Sequence, residues 1–126
     1  MADGVQKRLQ SEVEKYQSVQ KDLQKYMSVR QQLDAQLNEN TLVKEELDRL
    51  ETESKVYKMI GPVLVKQDLE ESKQNVQKRI DYISGEIKRH DVTIKDLEKK
   101  QDSQRETLSK LQHQFQQAQV KAAARA

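Results

Sequence analysis

The sequence has 126 residues, which is enough for one domain. Hydrophobic residues make up 34% and charged residues 35%, against roughly 45–50% (glycine included) and about 25% in ordinary globular domains. So polar a chain cannot surround a thick core; it must bury a narrow apolar stripe or remain disordered. Its 23 basic and 21 acidic residues are interspersed and give a net charge of +2. This pattern disfavours a nucleic-acid partner, because duplex-binding proteins gather their cations on one face.

Neither disulfides nor a membrane anchor are predicted. The sequence has no cysteine, and its longest apolar run, from Met59 to Val65, is about seven residues, against about 20 needed to span a bilayer. Residues Met1 to Arg8 lack the apolar core of a secretory signal. We therefore expect a soluble, intracellular protein.

The first half of the sequence predicts a long amphipathic helix. Stepping by four and three from Val5 meets eight apolar residues at eleven positions up to Asn40, as in a heptad seam. The apolar stripe then shifts to Val43, Leu47 and Leu50, which predicts a phase slip near Asn40. Asp3 resembles the start of a capping box.

A β-hairpin is predicted between the helices, because β-branched and aromatic residues surround the turn dipeptide Gly61–Pro62. Both faces are apolar, and a lone hairpin is at best marginal in water. Either the hairpin folds back onto its own helices, or strands of other subunits cover it. We favour the second, because two helix ends offer little surface. Its apolar residues are Val56, Tyr57, Met59, Ile60, Val63, Leu64 and Val65.

The second half predicts a more regular helix. Stepping by four and three from Leu69 to Ala122 meets apolar residues at twelve of sixteen positions. Asp68 is the predicted N-cap, with Glu71 completing a capping box. Gly85 lies inside this helix, at a cost of about 1 kcal/mol relative to alanine.

The predicted fold is therefore mainly α: a long antiparallel two-helix coiled coil with a β-hairpin at the connecting end. A single domain covers residues 1–126. Its predicted parts are a helix at about 4–53, a hairpin at about 55–66, a helix at about 68–122 and a tail at 123–126.

Antiparallel pairing brings an apolar cluster together at the free end of the arm, formed by Val5, Leu9, Leu108, Leu111 and Phe115. These residues either hold exposed hydrophobic segments of another protein or only close the coiled coil, and periodicity alone favours the second. Polar residues in the seam either specify register or extend to solvent. They are Arg30, Asn40, His90, Gln101 and Gln104.

Catalysis, cofactors and metals are not predicted. The spacings of Gly4, Gly61 and Gly85 fit no phosphate-binding loop. Without cysteine, and with His90 and His113 far apart in sequence, a metal site lacks ligands. A two-helix arm also offers no pocket that would desolvate a catalytic group.

Several segments together resemble the beta-type subunits of prefoldin, along nearly the whole chain. The stretch from Gly61 to Leu69 is the most specific, since heptads alone match any coiled coil. Only the alanine-rich tail from Val120 to Ala126 is unmatched. The other matching stretches are Glu12–Tyr16, Val43–Leu47, Lys78–Ile83 and Gln104–Leu108.

The resemblance implies a hexamer of two alpha-type and four beta-type subunits, whose hairpins build a β-barrel platform from which coiled-coil arms extend. Val56 to Val65 would supply platform strands, and the cluster at the free end would contact unfolded clients. In the family these clients include nascent actin and tubulin, passed in the cytoplasm to the group II chaperonin without ATP hydrolysis by prefoldin. Client contact then becomes the favoured role of the free end. The alternative is a self-associating structural coiled coil without clients.

Overall fold

A computed structural model describes residues 2–51 and 53–125 of the chain. It confirms the predicted fold class, because two long helices flank an antiparallel β-hairpin. Helix α1 spans Ala2–Asp48, and strand β1 spans Val56–Ile60. Strand β2 spans Val63–Gln67, and helix α2 spans Leu69–Arg125.

The chain divides into two compact units, and both helices contribute to each. The hairpin unit comprises Val29–His90 and contains both strands. The terminal unit comprises the described residues 2–28 and 91–125. Each unit buries only a few aliphatic side chains, as the polar composition predicts. They are Leu47, Leu69, Val76, Ile83 and Ile87 in the hairpin unit, and Val19 and Leu111 in the terminal unit.

The heptad seam of α1 continues beyond Asn40 without the predicted phase slip. Every position predicted from Val5 to Asn40 is partly or fully buried. The same stepping then reaches Lys44, which is partly buried, and Leu47, which is buried, whereas Val43 and Leu50 are exposed. The phase slip was wrong because a lysine can occupy a seam position, packing its aliphatic stem while its ammonium group reaches water.

Helix α1 ends at Asp48, earlier than the predicted boundary at about 53. The Arg49 N–H donates to the carbonyls of Glu45 and Glu46, each at 3.2 Å, and the Leu50 N–H donates to the Leu47 carbonyl at 3.2 Å. The bonds to the carbonyls of Glu46 and Leu47 span three residues instead of four and tighten the last turn. Leu47 is the last buried residue of α1, so packing does not hold a further turn.

At its other end, helix α1 begins at Ala2, so Asp3 lies inside the first turn and does not precede it, as a capping box would require.

Helix α2 begins at the predicted N-cap. The Glu71 N–H donates to Asp68 Oδ2 at 3.3 Å, and the Ser72 N–H donates to the Asp68 carbonyl at 2.9 Å. The bond to the Asp68 side chain satisfies an N–H group that a helix start would otherwise leave without a partner, and the bond to its carbonyl is the first backbone bond of the helix. The helix continues to Arg125, into the predicted tail, because alanine is the strongest helix former. Ala126 lies outside the described residues.

Candidate oligomerisation hairpin and client-binding tip

The hairpin turns through the two residues Gly61 and Pro62, because Ile60 and Val63 are the last paired residues. Gly61 has a φ of 59°, and the ring of Pro62 fixes a negative φ at the second position. A positive φ followed by a negative one is the combination of a type II′ turn, which matches the twist of paired strands. The sequence thus sets a tight turn and a fixed strand register.

Both faces of the hairpin carry exposed apolar side chains. Met59 pairs with Leu64 on one face, and these side chains are 71% and 63% exposed. Ile60 pairs with Val63 on the opposite face, and both are more than half exposed. Tyr57 and Val65 are also exposed. Six of the seven residues predicted as an oligomerisation element therefore lie on the surface of this chain.

The seventh residue, Val56, anchors the base of the hairpin. It is partly buried and packs against a cluster formed by Leu47, Leu69 and Val76, with Ile80 alongside. The ends of both helices thus hold the base of the hairpin, while its helices leave the distal part uncovered. The interpretation that the hairpin folds back onto its own helices fits only this base.

The hairpin also leaves backbone groups available, because its sheet has only two strands. Each strand uses one edge for the other strand, and the outer edges present N–H and C=O groups. Open edges and two apolar faces are the features by which one sheet accepts further strands. The described hairpin can therefore add strands at its edges and bury its faces against other elements.

At the predicted client-binding tip, the five apolar side chains are covered. Leu111 is 3% exposed, and Val5, Leu9, Leu108 and Phe115 are partly buried. All five belong to the terminal unit, as expected from antiparallel pairing. In this closed arrangement they form the seam of the coiled coil, so another protein can contact Leu111 only where the two helices separate.

Two polar residues, Tyr16 and Gln104, occupy partly buried seam positions of the terminal unit. Arg105 Nε donates a hydrogen bond to the Tyr16 hydroxyl at 3.0 Å. This bond raises the pKa of Arg105 above its ordinary value. Gln104 Oε1 is buried and has no hydrogen-bond partner among the described residues. A buried oxygen without a partner weakens the closed state, because it loses its hydrogen bond to water without replacement.

Large apolar residues outside the seam were not singled out in the sequence. Such residues can be recognised in the sequence as large apolar residues that lie between seam positions, which heptad counting ignores. One of them, Tyr82, is 67% exposed and lies in the stretch Lys78–Ile83. The others are Met27, Leu42, Val92 and Val120.

Within residues 2–51 and 53–125, no group of three or more His, Asp or Glu side chains is arranged to hold a metal ion. Neither of the helices, over its described length, has a segment apolar enough to cross a membrane.

Comparisons with known protein families and with known proteins both identify prefoldin subunits. The prefoldin subunit family matches residues 10–115. Prefoldin subunit 6 of Mus musculus and that of Homo sapiens are each 56% identical to this chain over 120 residues, covering 95% of the chain and 94% and 93% of the relatives. The probable prefoldin subunit 6 of Drosophila melanogaster is 50% identical over 110 residues, covering 87% of the chain and 88% of the relative.

A solved structure is similar to this fold. The crystal structure of the prefoldin beta subunit from Thermococcus strain KS-1 superposes with a TM-score of 0.57 at 23% identity, covering 88% of this chain and 91% of that one. The similarity supports the arrangement of two helices around a β-hairpin. The sequence relatives show that the chain belongs to the prefoldin family and is a prefoldin co-chaperone subunit, and its fold is that of the beta subunit.

Proposed function

We propose that this chain is one of four beta-type subunits in a cytoplasmic hetero-hexamer with two alpha-type subunits. The complex holds unfolded proteins such as nascent actin and tubulin and transfers them to the group II chaperonin. It does so without ATP or another cofactor and without catalysis. The observation that carries the proposal is the β-hairpin, whose two apolar faces are exposed.

The hairpin is the proposed assembly element because its exposure is unfavourable for a chain in isolation. Fully burying one Val, Leu, Ile or Met side chain contributes about 1.5–3 kcal/mol. The exposed hairpin includes Met59, Ile60 and Leu64, each more than half exposed. Covering these faces with neighbouring hairpins therefore provides several kcal/mol for assembly, before the entropy of association is subtracted.

The proposed client-binding tip is the apolar cluster of the terminal unit: Val5, Leu9, Leu108, Leu111 and Phe115. Because Leu111 is buried in the closed arrangement, client binding there requires local separation of the helix ends. Two features favour such separation: helix ends fray readily, and Gln104 Oε1 is buried without a hydrogen-bond partner among the described residues. Weak contacts by several linked arms then add up, since linkage raises the effective concentration of each further contact.

The assembly role is tested by replacing Ile60 and Leu64 together with aspartate, one change on each face of the hairpin. Each aspartate would have to be buried as a charge in the assembled sheet, which is strongly unfavourable. Native mass spectrometry of the tagged subunit, isolated gently from its own cells, is expected to show a hetero-hexamer for the parent and no hexamer for the variant.

The matched control replaces Val92 and Val120 with aspartate. Both are exposed apolar residues of the terminal unit, so the added charge is equal and assembly should be retained. Circular dichroism checks that both variants stay helical. Normal co-purification of the Ile60/Leu64 variant with other prefoldin subunits would contradict the proposal. Recovery of the parent only as a homodimer or homotetramer would favour the self-associating structural coiled coil.

A further inference from the structure

We propose that a groove on the hairpin unit, between α1 and α2, docks an acidic amphipathic segment of another protein. The open groove has a volume of about 420 Å³. Leu33 of α1 and Lys78, Arg79, Tyr82 and Ile83 of α2 are among its lining residues. None of its lining residues belongs to the hairpin or to the tip, so the proposal does not depend on the roles assigned to those surfaces.

The apolar part of the groove has a buried floor and an exposed wall. Ile83 is buried and Leu33 partly buried, so both belong to the packed interface of the two helices. Tyr82 is 67% exposed, although its aromatic ring is among the largest apolar surfaces of the unit. Such a combination suits an aliphatic or aromatic side chain, which would be covered by Tyr82 and rest on Leu33 and Ile83.

The charged part of the groove specifies the partner's chemistry. Lys78 and Arg79 both line the groove and are exposed, and neither forms an ion pair within the described residues. No carboxylate is among the lining residues. The adjacent Asp81 does not line the groove, and its Oδ1 accepts a hydrogen bond from Gln77 Nε2 at 2.9 Å. Two neighbouring cations, with no carboxylate among the lining residues, select a partner that brings carboxylates.

A protein segment fits these features better than a nucleic acid does. Binding of single strands uses a groove with cations along the backbone path and successive aromatic stacking surfaces. Here two neighbouring cations and one aromatic side chain stand over an aliphatic floor. The occupant we infer is a segment with a Leu, Ile or Phe side chain flanked by Asp or Glu.

The test uses the full chain assembled with its partner subunits, and a fluorescein-labelled peptide of Glu and Leu at helical spacing, about three turns long. Fluorescence anisotropy is expected to show binding that weakens as salt is added, because the contacts are exposed. A second peptide with Lys in place of Glu should bind at least about tenfold more weakly.

Variants of the groove separate its charged and apolar contributions. Lys78→Glu with Arg79→Glu should weaken binding of the acidic peptide about tenfold. Tyr82→Ala should weaken binding several-fold, whereas Tyr82→Phe should retain it, since the ring remains. The matched control, Lys99→Glu with Lys100→Glu, makes the same charge change at exposed positions of the terminal unit and should leave binding unchanged. Circular dichroism confirms that each variant keeps its helices.

Four results would overturn the proposal. The first is equal binding of the acidic and basic peptides, and the second is an equal loss of binding in the control variant. The third is competition by single-stranded RNA at concentrations below those of the peptide. The fourth is self-association of the chain that the Lys78/Arg79 reversal abolishes, since a second copy would then be the occupant.

Discussion

Arg105 of α2 and Tyr16 of α1 join the two helices of the terminal unit through a hydrogen bond of 3.0 Å from Arg105 Nε to the Tyr16 hydroxyl. The bond connects residues 89 positions apart. It therefore reports the antiparallel register of the helices directly, because residues so far apart in sequence meet only when the helices pair.

This contact predicts a graded response at Tyr16. Tyr16→Ala removes a partly buried ring and should lower the free energy of unfolding by about 1–2 kcal/mol, less than for a fully buried aromatic side chain. Tyr16→Phe keeps the ring and should have a smaller effect. Thermal unfolding followed by circular dichroism measures both. Equal destabilisation by the two variants would show that the hydroxyl, and not the ring, holds the contact.

Replacing Gln104 with leucine should stabilise the terminal unit. The change removes the buried Oε1 that has no partner and adds apolar surface to the seam, which should raise the free energy of unfolding by about 1–3 kcal/mol. The matched control is Gln114→Leu, at an exposed position of α2. A melting temperature that rises no more for Gln104→Leu than for this control would contradict the prediction.

The same variant also tests whether the tip must open. If clients bind where the helix ends separate, a more stable closed state should hold clients less well. We expect Gln104→Leu to suppress aggregation of denatured actin less efficiently than the parent, at equal concentrations of assembled complex. Unchanged suppression by a stabilised variant would indicate that clients bind without separation of the helices.

Replacing both Leu111 and Phe115 with aspartate should weaken client holding and leave assembly intact. The two side chains belong to the covered apolar cluster of the terminal unit, and the hairpin unit is unchanged. The control, Gln112→Asp with Gln116→Asp, adds the same charge at exposed positions of the same helix. Light scattering of denatured actin measures holding, and native mass spectrometry measures assembly. If the Leu111/Phe115 variant suppresses aggregation as well as the parent does, the assignment of the tip as the client-binding site is wrong.

The glycines of the turn and of α2 should respond in opposite ways to alanine. At Gly85 a Cβ atom would meet nothing within 4 Å, so Gly85→Ala should stabilise the chain by about 0.5–1 kcal/mol through helix propensity. At Gly61, where φ is 59°, alanine should destabilise the hairpin by about 1–2 kcal/mol. Thermal unfolding of both variants checks the opposite signs, and a stabilising Gly61→Ala would contradict the assigned turn.

The heptad spacing of apolar residues predicted the seam well, because this spacing is a local property of each helix. From Leu69 to Ala118, each predicted seam position of α2 is buried or partly buried. The method was wrong where it followed apolar residues instead of spacing. Of the predicted residues Val43, Leu47 and Leu50, only Leu47 is buried, and Lys44 occupies the seam position before it. The exposure of Val43 depends on where α2 lies, which the residues of α1 alone do not specify.

The candidate sites also combine features that the sequence predicts with features that it does not predict. The composition around Gly61–Pro62 was sufficient to predict a hairpin with two apolar faces, because strand alternation assigns faces without tertiary information. The coverage of Leu111 and the groove beside Tyr82 depend on contacts between the helices. Heptad counting assigns a residue to the seam, but it does not tell how closely the opposite helix covers that residue.

The exposed faces of the hairpin have a consequence for the amounts of the subunits. A structure that is stabilised by binding gains stability with the concentration of its partners. A copy made in excess of its partners keeps Met59 and Leu64 in water, together with strand edges that can pair with any other free edge. We therefore expect surplus chains to aggregate or to be degraded. The abundance of the subunit would then follow that of its scarcest partner, with no dedicated regulator.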